Sequence, residues 1–191
     1  MNSIPINQTI LATLAFSLSN WRKLLEASIF PILMCLPLVT VLPELMDKTG
    51  IDMWVLIARE YNEDPIIKTM LPPTWLNARR TTILVFSLDS ETKDFESVAI
   101  ARYAFGDNIP SIWNKEKQPN QWEALRDYIV SKNPEKIGIN TSSYESLADG
   151  LSKYHFDQLY SVLSPKFRKK IVSAEDLAIA WIETRTDIEM T

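Results

Sequence analysis

The stretch Ile51–Ala58, "IDMWVLIA", is apolar at every position except Asp52. A strand with one wetted face alternates apolar and polar residues. A run with no alternation must be buried on both faces. The run therefore predicts a largely buried strand over Asp52–Ala58. The flanking sequence supplies helical segments. "VLPELMDKTG" has apolar residues at helical spacing and stops at Gly50. "NEDPIIKTML" reads as a short helix with acidic residues at its start, where the helix dipole favours them. "TTILVFSL" (Thr81–Leu88) is a second strand, "DSETKD" a polar turn, and "ESVAIARY" (Glu96–Tyr103) a third strand closing a hairpin. "QPNQWEALRDYIVSKNP" puts Trp122, Leu125, Tyr128 and Ile129 on one helical face. "EKIGIN" is a short strand. "SYESLADGLSKYHFDQLYSVLS" reads as one long helix with Leu147, Leu151, Tyr154 and Leu159 in its stripe. "RKKIVS" is a last strand. The final helix starts at a Ser173 cap, with Asp176 as its acidic partner, and runs to the chain end. Strands alternating with helices predict an α/β domain with a mixed sheet flanked by helices.

Composition excludes several functions. A formal charge of −4 over 191 residues argues against nucleic-acid binding, which needs a basic face. The basic group "KFRKK" reads as solvated. The single Cys35 rules out an intrachain disulfide and a thiolate zinc site, and leaves the redox compartment open. The single His155 sits in a helical pattern, where a partly buried or surface residue is expected rather than a catalytic base. No glycine-rich phosphate loop, H-E-x-x-H or G-x-S-x-G pattern occurs.

Two features carry functional candidates. Residues 1–37 form an apolar arm. Its uncharged run "ASIFPILMCLPLVTVLP" is a little short for a membrane span and is interrupted by Pro31, Pro37 and Pro43. Its charges lie late for a signal peptide, and Met34 precedes Cys35 where a lipoprotein signal needs a small residue. Packing on the domain or on a partner is the expectation, and a cytoplasmic location is favoured over export or a membrane anchor. The second feature is "IAREYNEDP". Glu60, Glu63 and Asp64, with Asp52 or Asp107, could gather around Mg or Mn and make a stand-alone metal-dependent hydrolase. The simpler expectation is that Glu63 and Asp64 cap the following helix while Arg59 and Glu60 pair locally.

The segments "GIDMWVLIAREYNEDP", "TWLNARRTTILVF", "QPNQWEALRDYIVSKNPEKIGIN", "SLADGLS" and "IVSAEDLAIAWIETRTDIEM", in this order and spacing, resemble the amino-terminal part of bacterial creatinase/aminopeptidase P proteins, the pita-bread, Xaa-Pro peptidase-like metallopeptidases. The resemblance runs from about Leu38 to the last residue. It implies a creatinase-type amino-terminal domain with a ribonuclease-H-like mixed sheet over residues 38–172. It also implies a connecting helix over 173–191 toward a carboxy-terminal pita-bread domain. In the family that domain supplies two Asp, one His and two Glu that hold two divalent metals (Mn, Co or Zn). No cofactor is implied within this chain, no such ligand can be assigned here, and His155 lies outside the matching pattern. Relatives carry a charged helix between an "ILPL"-like motif and the "VLPELM"-like helix, whereas "CLPLVTVLPELM" joins the two directly. A truncated reading frame or a domain fragment, with some apolar surface uncovered, is expected. The implied role is non-catalytic: packing against a catalytic domain or a neighbouring subunit, homo-oligomerisation, and shaping the substrate entrance. Arg59, Glu60, Tyr61, Asn62 and Asp64 are the candidate contact residues. Trp75 and Arg79 are candidate partners beside them, against the simpler reading of Trp75 as core filler and Arg79 as solvated.

Overall fold

The computed structural model describes residues 37–72, 75–106 and 108–184. The apolar arm up to Leu36, Asp107 and the residues after Thr184 lie outside the described residues, and the last helix, expected to reach the chain end, stops at Glu183 with Thr184 extended.

A π-helical turn, Pro37–Val41, leads into α1 (Leu42–Thr49). Pro43 occupies its first turn, where no N–H is missed. Gly50 ends it in the left-handed region at φ 64°, donating to Asp47 and Met46. β1 (Met53–Arg59) follows and is buried up to Arg59. Then come α2 (Pro65–Met70), β2 (Thr81–Leu88), β3 (Phe95–Ala99), α3 (Gln121–Lys132), β4 (Ile137–Ile139), a 3-10 turn at Ser146–Ala148, α4 (Lys153–Val162), α5 (Pro165–Arg168), β5 (Ile171–Ser173) and α6 (Glu175–Glu183).

The sheet order is β3-β2-β1-β4-β5. β1 pairs antiparallel with β2 and parallel with β4, while β5 extends β4 in parallel. β1 is therefore the central strand, and the burial expected from its unbroken apolar run is found. Trp54, Leu56 and Ala58 face one core with residues of α1, α2 and α6. Met53, Val55 and Ile57 face the other with α3, α4 and α5. The five-stranded mixed sheet flanked by helices is the expected fold class, consistent with the creatinase-type domain that the sequence resemblance implies.

Three expectations need correction. The long helix is broken into the 3-10 turn and α4: Leu151 N–H turns to Asn140 O, Ser152 caps α4, and Gly150 between them passes so close to the Asp64 carboxylate that a Cβ there would overlap it. Leu147 and Tyr154 are consequently exposed, and the buried face of α4 is His155 and Leu159. β3 ends at Ala99 rather than Tyr103. Pro110–Ile112 seals its outer edge there, with Ala99 N–H donating to Pro110 O (2.8 Å) and Ile112 N–H to Ala99 O (3.0 Å). The last helix starts one residue late: its cap position is Ala174, while Ser173 ends β5 and its hydroxyl accepts from Glu175 N–H (3.1 Å).

A candidate interaction rim at one end of the sheet

The strand directions gather the candidate residues. β1, β4 and β5 run together, β2 runs against β1, and β3 runs against β2. The exits of β1, β3, β4 and β5 and the entry to β2 therefore lie at one end of the sheet. That end carries Arg59–Asp64, Trp75–Arg80, Ala101–Phe105 and the loop from Asn140 to Ser152.

The turn after β1 is tight. Asn62 N–H donates to Arg59 O at 2.8 Å. Tyr61 sits in the left-handed region at φ 65°, unusual for a residue with a bulky side chain. Its ring is 80% exposed. The acidic residues do not converge. Glu63 Oε1 accepts from Tyr61 N–H at 3.0 Å and so holds the turn. Glu60 does not pair with Arg59. Its Oε2 accepts from Arg80 N–H at 3.2 Å, while Glu60 N–H donates to Arg80 O at 2.7 Å. Asp52 lies at the other end of the sheet and accepts from Glu135 and Lys136 N–H. Among the described residues no group of three or more His, Cys, Asp and Glu is placed to hold a metal ion. The shared-metal arrangement of Glu60, Glu63, Asp64 and Asp52 is thus not formed, because each carboxylate is spent on a separate backbone site.

Asp64 does cap α2 as expected, accepting from Ile66 N–H (2.8 Å) and Ile67 N–H (3.4 Å). It is fully buried, not a contact residue. Asn140, leaving β4, donates Nδ2–H to both its oxygens at 3.1 and 3.0 Å and accepts from Trp54 Nε1–H at 2.8 Å. Burial raises the Asp64 pKa to about 6, against the lowering pull of Asn140 and the two amides. This Trp54–Asn140–Asp64 chain ties β1, β4 and α2 together beneath the rim. Sequence reasoning missed Asn140, Trp54 and Gly150, since a lone Asn at a strand end carries no pattern.

Trp75 and Arg79 do come together. The Arg79 guanidinium lies 4.4 Å from the Trp75 ring centroid and 5.9 Å from that of Tyr103. Trp75 is half-buried and packs edge-on to Tyr103 and Phe105 at 5.3 and 5.4 Å. The Tyr103 hydroxyl donates to Arg79 O. On the opposite face of the sheet Arg59 lies near His155, which is buried beside Trp122 and Tyr154. Burial first, and the Arg59 charge second, hold the His155 imidazole below its ordinary pKa. Arg59, Arg79 and Arg80 are exposed, and their side chains make no hydrogen bond or ion pair with a described residue. Among the described residues no helix is long and apolar enough to cross a membrane.

Comparison by sequence finds no matching protein family and no matching curated protein. Among solved structures, a Xaa-Pro dipeptidase from Bacillus anthracis aligns with a TM-score of 0.49 at 14% identity, over 78% of this chain and 36% of that one. The chain thus spans little more than a third of the length of that protein.

Proposed function

We propose that this chain is the non-catalytic amino-terminal domain of a Xaa-Pro aminopeptidase-like metallopeptidase, acting by docking. Its rim packs against a pita-bread catalytic domain or a neighbouring subunit and helps shape the substrate entrance. In this reading residues 38–172 are the docking domain and 173–191 lead toward the catalytic domain. The two metals belong to that domain. The ordered segments resembling the family name the class. The observation that carries the docking role is the rim itself: one sheet end that combines exposed Arg59, Tyr61, Asn62 and Arg79 with a half-buried Trp75, the residue types enriched where proteins meet.

Two measurements test it. The purified chain should not hydrolyse an X-Pro dipeptide with or without Mn. Turnover accompanied by stoichiometric metal would overturn the reading and send attention back to Glu60 and Glu63. In a full-length relative, Glu60→Ala and Trp75→Ala at the matching positions should lower X-Pro turnover or weaken assembly. If both quantities are untouched, the rim does not dock.

A further inference from the structure

The buried Asp64 carboxyl is hydrogen-bonded unevenly. Oδ1 accepts from Ile66 N–H (2.8 Å), Ile67 N–H (3.4 Å) and Asn140 Nδ2–H (3.1 Å). Oδ2 accepts only from Asn140 Nδ2–H (3.0 Å), the same nitrogen that reaches Oδ1. Its other side meets Gly150, where a Cβ would overlap it. Gly150 is half-buried and Asp64 fully buried, so the glycine backbone covers Oδ2 against water. Residues 149–151 form a strap that crosses the rim from one core to the other. Ala148 before it is buried on the α1, α2 and α6 face, and Leu151 packs on the α3, α4 and α5 face. Few bonds hold the strap between these anchors. Asp149 N–H donates to Ser146 O at 3.3 Å, Asp149 Oδ1 accepts from Ser142 N–H at 3.2 Å, and Leu151 N–H donates to Asn140 O at 3.0 Å.

A carboxylate spreads its charge over both oxygens, and each then needs donors or water. A proton on Oδ2 removes that need. From this asymmetry we propose that residues 149–151 are a proton-controlled strap, closed over Asp64 while the carboxyl is protonated and lifting to admit water to Oδ2 once it is ionised. The inference does not rest on the docking role above. Burial sets the direction: it raises the Asp64 pKa from 3.8 to about 6, so the closed strap holds the proton more tightly than the open one. The strap is tight in acid, loosens as pH rises from about 4 to about 6, and changes no further above that. Trp54 from β1 and Asn140 from β4 complete the buried chain and do not titrate. The charged groups of the surrounding elements are Arg59 on β1, Glu63 and Lys68 around α2, Glu145 and Asp149 in the loop, and Glu175, Asp176 and Glu183 on α6. None of their charges shifts the Asp64 carboxyl.

The test is amide hydrogen exchange of the full chain by NMR from pH 4 to pH 7, corrected for the intrinsic pH dependence of exchange. Protection of the Leu151 amide should fall by about a hundredfold between pH 4 and pH 6 and then level off. Its opening should be nearly independent of dilute urea, because lifting a strap exposes little surface. The Leu56 amide, in the central strand, should respond to urea as global unfolding does. Asp64→Asn keeps the side-chain shape without the ionisation and should flatten the Leu151 profile. If that variant does not fold, the wild-type pH and urea profiles decide alone. Three results overturn the inference: flat Leu151 protection across pH in the wild type, a urea response equal to that of Leu56, or a pH-dependent fall that persists in Asp64→Asn.

Discussion

Both ends of the sheet are rich in charge, and they use it in opposite ways. At the end holding the β2–β3 hairpin the charges answer one another. Asp47 pairs with Lys93 at 2.7 Å, Glu96 with Lys132, and Glu135 with Lys170 at 3.2 Å. Asp89 closes its own turn by accepting from Glu91 and Thr92 N–H. A small cavity of about 220 Å³ between Asp52, Asp94, Glu96 and Lys132 is lined by these same groups. At the rim the carboxylates go to the backbone and the guanidiniums face water. The first end is electrostatically closed and the second is open. A backbone N–H that holds a carboxylate leaves its charge in place, so the two ends differ in how their side chains pair and not in the sign of their surface.

The largest difference between the two ends should appear on adding one methyl group. Gly150→Ala drives a Cβ into the Asp64 carboxylate and Pro65, where α2 and the β4 loop close on each other. Neither group has room to retreat, so a loss of about 3 kcal/mol is expected. Gly50→Ala, at the closed end, meets only the mobile tip of Lys136 at 3.5 Å. Its cost is the left-handed backbone at φ 64°, about 1 kcal/mol. Urea denaturation of the two variants measures both. Equal losses would show that the rim is not tightly buckled beneath its loops.

Next in size is a pH effect of opposite sign for two carboxylates, Asp64 at the rim and Asp89 at the other end. Asp64 has a folded pKa raised from 3.8 to about 6, so the folded chain holds its proton more tightly than the unfolded one. Its contribution to stability is fully present below the unfolded pKa. It is lost as pH rises from about 4 through about 6, a change of about 3 kcal/mol. Asp89 is held below its ordinary pKa, chiefly by the Thr92 and Glu91 amides. Its contribution is present above the unfolded pKa and lost as pH falls. His155, also held low, favours the folded state above its ordinary pKa and loses that contribution as pH falls. Comparing wild type with Asp64→Asn isolates the buried carboxylate. The stability difference between them should change across pH 4–6, and Asp89→Asn should give a difference of opposite slope at lower pH. A flat Asp64→Asn difference would mean that Asp64 is not desolvated.

These groups also show where sequence reasoning succeeds. β1, β2, α1 and α3 were legible because burial on both faces, or on one helical stripe, writes a period into the chain. Gly50 and the Asp64 cap were legible because a local backbone need selects the residue. Trp75 and Arg79 were singled out for their residue types as interface candidates, and their stacking on each other was not foreseen. The break around Gly150 was not legible, since the groups that segment meets, Asn140 and Asp64, are distant in sequence and unknown until the strands pair. Nor was Asn140, whose partners Trp54 and Asp64 come from two other elements. The acidic reading of Glu60 failed for a related reason: the N–H group it satisfies belongs to Arg80, across the strand pair.

The smallest effects probe the closed and open ends directly. Lys132→Met removes the partner of Glu96, but both side chains are well exposed. Solvent screening limits such a pair to about 0.5 kcal/mol, and added salt should erase the difference from wild type. Arg59→Met should cost no more, because no described carboxylate loses a partner. It should instead move a neighbour: with the Arg59 charge gone, the His155 pKa rises, while burial still holds it below the ordinary value. NMR titration of the single histidine reads this without interference. An unchanged His155 titration would mean that Arg59 is already neutralised, and the rim would then be as closed as the opposite end.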